Sequence, residues 1–278
     1  IIWAIVSLYF IVVVLLHIPS IQVFVGNAIS DALSEKLGTN VKVGRVDLGF
    51  LNRIIIDDLV IDDQLNKPML EATRLSVKLD YAALASGKIH ISSVQLFGLK
   101  ASLYSQTAQS KPNFLFALDS LASKDTTTTP PLDLRINTLI IRRGNISYNQ
   151  LDVPKLNTFS PKHISVNDIS AHIALDALTD DSLNLNIKDL SFKEQSGLHV
   201  KSLTAELTAN KRQAQLANLT VILPASTISF APISASYAFD GSAIQAPSLQ
   251  FNGKLERSQL TLSDLACFLP ELKKSTKP

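Results

Sequence analysis

The feature that most constrains this chain is an alternation of apolar and polar residues with period two, which recurs from Val41 almost to the end. Leu75, Val77 and Leu79 alternate with Arg74, Ser76, Lys78 and Asp80, and Leu183, Leu185 and Ile187 alternate with Asn184, Asn186 and Lys188. A strand points successive side chains to opposite faces, so this pattern describes a sheet with one apolar and one polar face. Similar segments lie at 41–48 (Gly44 as a bulge), 53–63, 89–96, 99–103, 132–141, 145–148, 164–175, 183–192, 198–209, 216–223, 226–230, 234–239, 248–251 and 255–262. Gly197, Asn210, Pro224, Pro232, Gly241 and Gly253 separate many of them. Short strands at such spacing predict a mainly β, largely antiparallel fold. Short helices are expected at 81–86 and 113–123, a turn at 66–68, and a hairpin turn flanked by Arg142 and Arg143 before Gly144.

The polar positions are mostly Ser, Thr, Asn and Gln. The apolar face therefore needs a cover. A second sheet would seal it in a sandwich, whereas a curled single sheet would line a groove with it. Periodicity alone leaves both open.

The start of the chain follows a different rule. Residues 1–18, IIWAIVSLYFIVVVLLHI, carry no charged side chain. About 20 such residues cross a hydrocarbon core of about 30 Å, and no small-residue cleavage site follows, so the segment reads as an uncleaved transmembrane anchor. Ile1, Trp3, Ile5, Phe10, Val13 and Leu16 are its candidate anchor residues. Pro19 then opens an amphipathic helix, with Ile21, Phe24, Val25, Ala28, Ile29, Ala32, Leu33 and Leu37 at three- and four-residue spacing and Gly38 as C-cap. Its polar side is not rich in Lys and Arg, so it is expected to cap the sheet rather than lie on a membrane. The chain begins inside an apolar run and is expected to be a piece of a longer protein.

Composition removes several function classes. Among 278 residues, 46% are hydrophobic and 18% charged, and the formal net charge is +2. That balance leaves no electrostatic footprint for nucleic acid. The single Cys267 excludes an internal disulfide. No phosphate-binding glycine loop, dinucleotide fingerprint, serine-hydrolase elbow or zinc-protease helix occurs. His17, His90, His163, His172 and His199 are scattered, with His90 on the polar side of its strand. Asp57–Asp58, Asp62–Asp63 and Asp180–Asp181 lack calcium-loop spacing and read as solvated turns and strand ends. The expectation is a non-enzymatic protein with no catalytic residue, metal site or cofactor.

Several phrases carry a family resemblance. LSEKLGTNVKVGRVDLGF at 33–50, KIHISSVQLFGLKASLY at 88–104, NFLFALDSLAS at 113–123, SFKEQSGL at 191–198, LPAST at 223–227 and LSDLACFLPELK at 262–273 follow one another in order. In this arrangement the chain resembles the N-terminal part of TamB/AsmA-like envelope proteins, of the type found in Bacteroidetes. The resemblance implies a single-pass inner-membrane protein of a Gram-negative bacterium with its bulk in the periplasm. It implies a long curled antiparallel sheet, a β-groove, whose concave apolar face passes phospholipid acyl chains between inner and outer membranes. The partners implied are membrane phospholipids and, through a region beyond this chain, an Omp85-type outer-membrane barrel. The alternative is a scaffold for insertion of outer-membrane β-barrel proteins. Groove-lining candidates are Leu75, Val77, Leu79, Leu183, Leu185, Ile187, Leu198, Val200, Leu219 and Val221. The expected organisation is an anchor at 1–18, an amphipathic helix at 19–38, groove segments at 39–123 and 132–278, and a polar loop, KDTTTTPP, at 124–131.

Overall fold

A computed structural model describes residues 18–49, 52–80, 89–122, 132–133, 137–155, 159–178, 182–238, 249–256 and 258–265, with isolated positions 3, 7, 11, 14 and 268. The fold is mainly β. It divides into two compact units, one formed by Ile1–Leu134 with Gly144–Pro154 and the other by Arg135–Arg143 with Lys155–Pro278.

In the first unit, helix α1 (Pro19–Leu37) starts with proline at its first turn and ends on Gly38, whose φ of 65° is the left-handed cap glycine adopts without strain. Strands β1 (Val41–Lys42), β2 (Arg45–Gly49), β3 (Arg53–Asp62), β4 (Pro68–Leu79), β5 (Ile89–Phe97) and β6 (Lys100–Ser105) follow. Helix α2 (Leu115–Ala122), strand β7 (Leu132–Asp133) and strand β8 (Thr138–Gln150) come next, β8 entering this unit at Gly144. Both β1 and β2 pair with β3, β3 with β4, and β4 with β5 and β6, all antiparallel. The sheet is nonetheless mixed: β6 pairs in parallel with β8 from Lys100↔Asn145 to Ser105↔Gln150, and β5 with β7. A parallel neighbour needs a crossover of about a dozen residues or more, and the connection at 106–137 supplies it.

The core of this unit lies under α1. Leu37, Val41, Val43, Val46, Ile56, Leu59 and Ala72 are buried together, with Val25, Ile29 and Leu33 of the helix packed on them. Two helix hydroxyls fasten the contact, Ser30 Oγ accepting from the Val43 N–H and Ser34 Oγ from the Val41 N–H, each at 2.9 Å. The amphipathic helix thus caps the sheet, as its composition predicts.

Three aspartates expected to be solvated, Asp57, Asp62 and Asp63, are buried instead, Asp62 accepting from Asn40 Nδ2 at 2.6 Å. Asp57, 7% exposed, sits between Arg74 Nε at 2.7 Å and Arg45 Nε at 2.8 Å. The Arg74 hydrogen bond, with help from Arg45, outweighs burial and holds its carboxyl below the ordinary range. Asp63, 1% exposed, accepts from Tyr104 Oη at 2.7 Å and from the Leu65 and Lys67 N–H groups at 2.8 and 3.0 Å. It closes the β3–β4 turn. Burial pushes its pKa up, but these donors win and the net shift is downward.

In the second unit, β9 (His163–Leu178), β10 (Ser182–Glu194), β11 (His199–Asn210) and β12 (Gln213–Ile222) form an antiparallel meander. Strand β12 then pairs with both β13 (Thr227–Ser229) and β14 (Ile233–Ser236), and β14 pairs with β15 (Gln250–Asn252). Two sequence expectations fail here. Arg142 and Arg143 do not flank a hairpin but lie inside β8, with Arg143 at φ 55°. The segment 255–262 is not a strand; it makes isolated bridges at Leu255 and Gln259 before the short helix α3 (Leu262–Leu265). Side-chain hydroxyls interleave with the backbone bonds of these bridges, Ser226 Oγ accepting from the Thr261 N–H and Ser258 Oγ from the Ser229 N–H.

Strand after strand also shows a change of phase. Buried or half-buried apolar residues alternate, skip one residue, and alternate again: Val43 then Val46, Ile56 then Leu59, Ala72 then Leu75, Leu96 then Leu99. The second unit repeats this with Val166 and Ile169, Ile187 and Leu190, Val200 and Leu203, Leu216 and Leu219. Left-handed residues mark many of the skips, with Asp58, Gly98, Asp168 and Asn218 at φ 54–62°. The register shifts in β9, β10, β11 and β12 fall at the same places. Such bulges bend a strand and increase its twist. In the first unit the skips stand side by side: an added Cβ at Gly44 would lie 3.1 Å from Asp58 Cβ, and one at Gly98 2.4 Å from Thr73 Oγ1.

Candidate functional site

The register of the second unit assembles apolar residues into ladders across its sheet. Leu175 pairs with Leu185, Leu185 with Leu207, Leu207 with Leu216, and Leu216 with Ile233. Beside this row run Ile173–Ile187–Ala205, and then Ala171–Leu190–Leu203–Val221–Ile228. Directly paired residues share a face, so these rows form one apolar surface from β9 to β14. The opposite face carries Asn184–Thr208–Gln215–Ser234–Asn252 and Thr204–Thr220–Ser229.

The two units treat their apolar faces differently. In the first, α1 covers the face and drives Leu59 to 6% and Ala72 to 2% exposure. In the second, Leu185, Ile187, Leu203, Leu207, Leu216 and Val221 stay half-buried, and among the described residues the unit's only helix is the four-residue α3. Larger apolar exposure gathers towards its end, at Leu249, Phe251, Leu255, Leu260 and Leu262. Among the described residues no helix or second sheet lies over these ladders.

The predicted lining residues sort accordingly. Leu183, Leu185 and Ile187 on β10 and Leu219 and Val221 on β12 lie on the uncovered face or its continuation, with Leu198 half-buried just before β11. Val200, 3% exposed and paired with Phe192, belongs to the core. Leu75 packs against the cluster beneath α1, so its face is already occupied. Val77 and Leu79 are half-buried further along β4, paired with Val94 and Ile91. The ladder residues Leu175, Leu207, Leu216 and Ile233 were not singled out from sequence. Each looks like any strand leucine or isoleucine until the register aligns them.

The anchor residues Ile1, Ile5, Phe10, Val13 and Leu16 lie outside the described residues, as do the helix expected at 81–86, the loop at 124–131, Asp180–Asp181, Cys267 and the side chain of His90. Trp3 is helical and 86% exposed. Among the described residues no helix is long and apolar enough to cross a membrane, and no three His, Cys, Asp or Glu side chains converge as a metal cluster.

One cavity of about 770 Å³ is bordered by β10, β11, β12, β14 and β15, both by polar-ladder residues and by Leu183, Ala209, Ala214, Ala235 and Phe251, the next rung of the apolar face. A second, of about 330 Å³, is lined by Asp63, Tyr104, Asn113 and Phe116 among others. There the Asp63 carboxylate holds the Tyr104 phenol up to about 12. Compared with known proteins, the chain matches no family model and no curated protein sequence.

Proposed function

We propose that this protein is a membrane-anchored lipid carrier of the bacterial envelope, whose uncovered apolar sheet face carries phospholipid acyl chains between inner and outer membranes. The observation that supports this reading best is the set of apolar ladders from β9 to β14, continuous across the strands and without a covering helix among the described residues. Each methylene removed from water contributes about 0.8 kcal/mol, so a sixteen-carbon chain seated on such ladders gains on the order of 10 kcal/mol. Leu, Ile, Val and Ala contacts are non-directional and let a chain slide.

In this reading residues 1–18 hold the protein in the inner membrane, and α1 seals the first unit. The phrases at 33–50, 88–104 and 191–198 that resemble TamB/AsmA-like proteins support the same assignment. An Omp85-type barrel partner would act through a region beyond these 278 residues.

In-cell photocrosslinking tests the proposal. A diazirine amino acid at Leu185, Leu207 or Leu219 is expected to capture phospholipid, and one at Asn184 or Gln215 on the opposite face is not. Protein-only adducts at all three apolar positions would overturn the carrier reading in favour of a packed scaffold.

A further inference from the structure

Two rows of charge cross the first unit's sheet on the face turned away from α1, and they are built differently. Ile54, Ile56 and Leu75 pack towards the helix, so Arg53, Asp57, Arg74 and Lys78, one residue out of step with them, lie on the other side. In the row Arg45–Asp57–Arg74 the central carboxylate accepts from both guanidinium groups. In the row Arg53–Lys78–Ser93 no acid stands between the cations. Like charges placed directly opposite one another across a strand pair repel. Among the described residues neither cation meets a carboxylate: Arg53 Nη1 donates to Gln95 Oε1 at 3.2 Å, and Lys78 is exposed. Asp80, two residues on, already has a partner, and Asp47, one rung inward, adds its field to Arg74.

Neighbouring strands stand about 4.8 Å apart, a spacing that one phosphate group bridges. With Nη1 taken by Gln95, the Nε–Nη2 edge of Arg53 is left as the two-pronged donor that phosphate oxygens match. Lys78 adds a point charge and half-buried Ser93 a hydroxyl. The backbone beneath is fixed: the Leu79 N–H donates to the Asn52 carbonyl at 2.9 Å, and Asn52 Nδ2 donates to the Leu79 carbonyl.

The row also lies at a particular end of the sheet. Helix α1 runs antiparallel to the chain from β1 to β2, with Ser34 bonded at Val41, Ser30 at Val43 and Gly26 against Gly44. The stretch from Gly26 back to Pro19 rises about 10 Å, the length of about three strand residues. Pro19 therefore draws level with Leu48, whose partner Ile54 adjoins Arg53. This is the end at which the chain joins the uncharged segment 1–18.

We propose that Arg53, Lys78 and Ser93 clasp the phosphate of an anionic phospholipid at the surface of the membrane that residues 1–18 enter. The proposal rests on the anchor reading given above, which makes the bilayer the source of the phosphate. Basic side chains close to anionic headgroups are drawn to them. Bound there, the phosphate stands between two cations as Asp57 does in the inner row.

The test is amide hydrogen exchange on the full chain in phosphatidylcholine nanodiscs with and without phosphatidylglycerol. Exchange at Ile54 and Leu79 is expected to slow threefold or more with phosphatidylglycerol. Arg53→Gln combined with Lys78→Gln should remove the effect and Arg142→Gln should keep it, with circular dichroism confirming that each variant is folded. Equal exchange in the two lipids, or slowing that survives the double substitution, overturns the clasp and leaves the anchor standing, since the anchor is read separately as co-elution of chain and disc. A chain that does not co-elute overturns both. Equal slowing by inorganic phosphate in phosphatidylcholine discs overturns the lipid assignment in favour of a free anion. In cells, a diazirine amino acid at Ser93 is expected to recover phospholipid, and recovery of protein alone overturns the proposal.

Discussion

Replacing Leu207 by Asp separates a face that serves an external ligand from one that holds the fold together. Leu207 sits mid-ladder between Leu185 and Leu216 and is half-buried. Full burial of a leucine side chain contributes about 1.5–3 kcal/mol, so the partly buried Leu207 contributes about 1–2 kcal/mol. An aspartate there has water within reach, so its charge costs less than at a sealed site. Leu59 is the contrast, 6% exposed beneath α1. Truncating it to Ala leaves a cavity and costs about 2–5 kcal/mol, and an aspartate would have to bury an unpaired charge. Urea unfolding followed by circular dichroism, with hydrogen exchange to assign each transition to its unit, is expected to show a small shift for Leu207→Asp and a large one for Leu59→Ala. In cells, Leu207→Asp is expected to accumulate normally yet lose lipid crosslinks at Leu185. If Leu207→Asp instead unfolds the second unit as severely as Leu59→Ala unfolds the first, the face is a packed core. The reasoning behind the carrier is then wrong.

Tyr104→Phe removes a donor from buried Asp63 and is expected to cost the first unit about 1–3 kcal/mol, read as a lowered melting temperature. The phenol titrates higher in the folded state, at about 12 against an ordinary 10. Its contribution is therefore complete below pH 10 and is lost as pH rises towards 12, a decline the phenylalanine variant should lack. Gly98→Ala places a Cβ 2.4 Å from Thr73 Oγ1 at φ 62°. Left-handed strain alone costs about 1–2 kcal/mol, so the variant should melt well below wild type, and an unchanged melting curve would contradict the assigned backbone.

Much of the fold was legible because its main signal is local. The alternation at 183–187 and 74–80, the Pro19 start and the Gly38 cap each report on a few neighbouring residues, and the corresponding elements formed. The failures arose where distant groups decide. Asp57 and Asp63 look like turn acids until Arg74, Arg45 and Tyr104 arrive from other strands. Arg142–Arg143–Gly144 resembles a turn, but the chain runs on through it as β8, which pairs with β6 from Asn145 onward. The parallel pairing of β6 with β8 had no local signature at all. The candidate surface was half-legible: single strands showed an apolar side, while the register that joins Leu185, Leu207, Leu216 and Ile233 was invisible. Nor did any one strand mark α1 as the cover for Leu75.

The skipped residue in successive strands also has a bearing on how the chain finds its pairing. Strands written in Leu, Ala, Ser, Thr and Asn could slide past one another by two residues and still place apolar beside apolar, so hydrophobicity alone indexes them poorly. A left-handed residue at Asp58, Gly98, Asp168 or Asn218 works as a notch. Only one alignment lets the notch in one strand meet the break in the next, and every slipped alignment sets some apolar residues against the polar face. The bulges thus act as a ruler for the meander, and removing one by deletion should produce mis-threaded sheets rather than merely weaker ones.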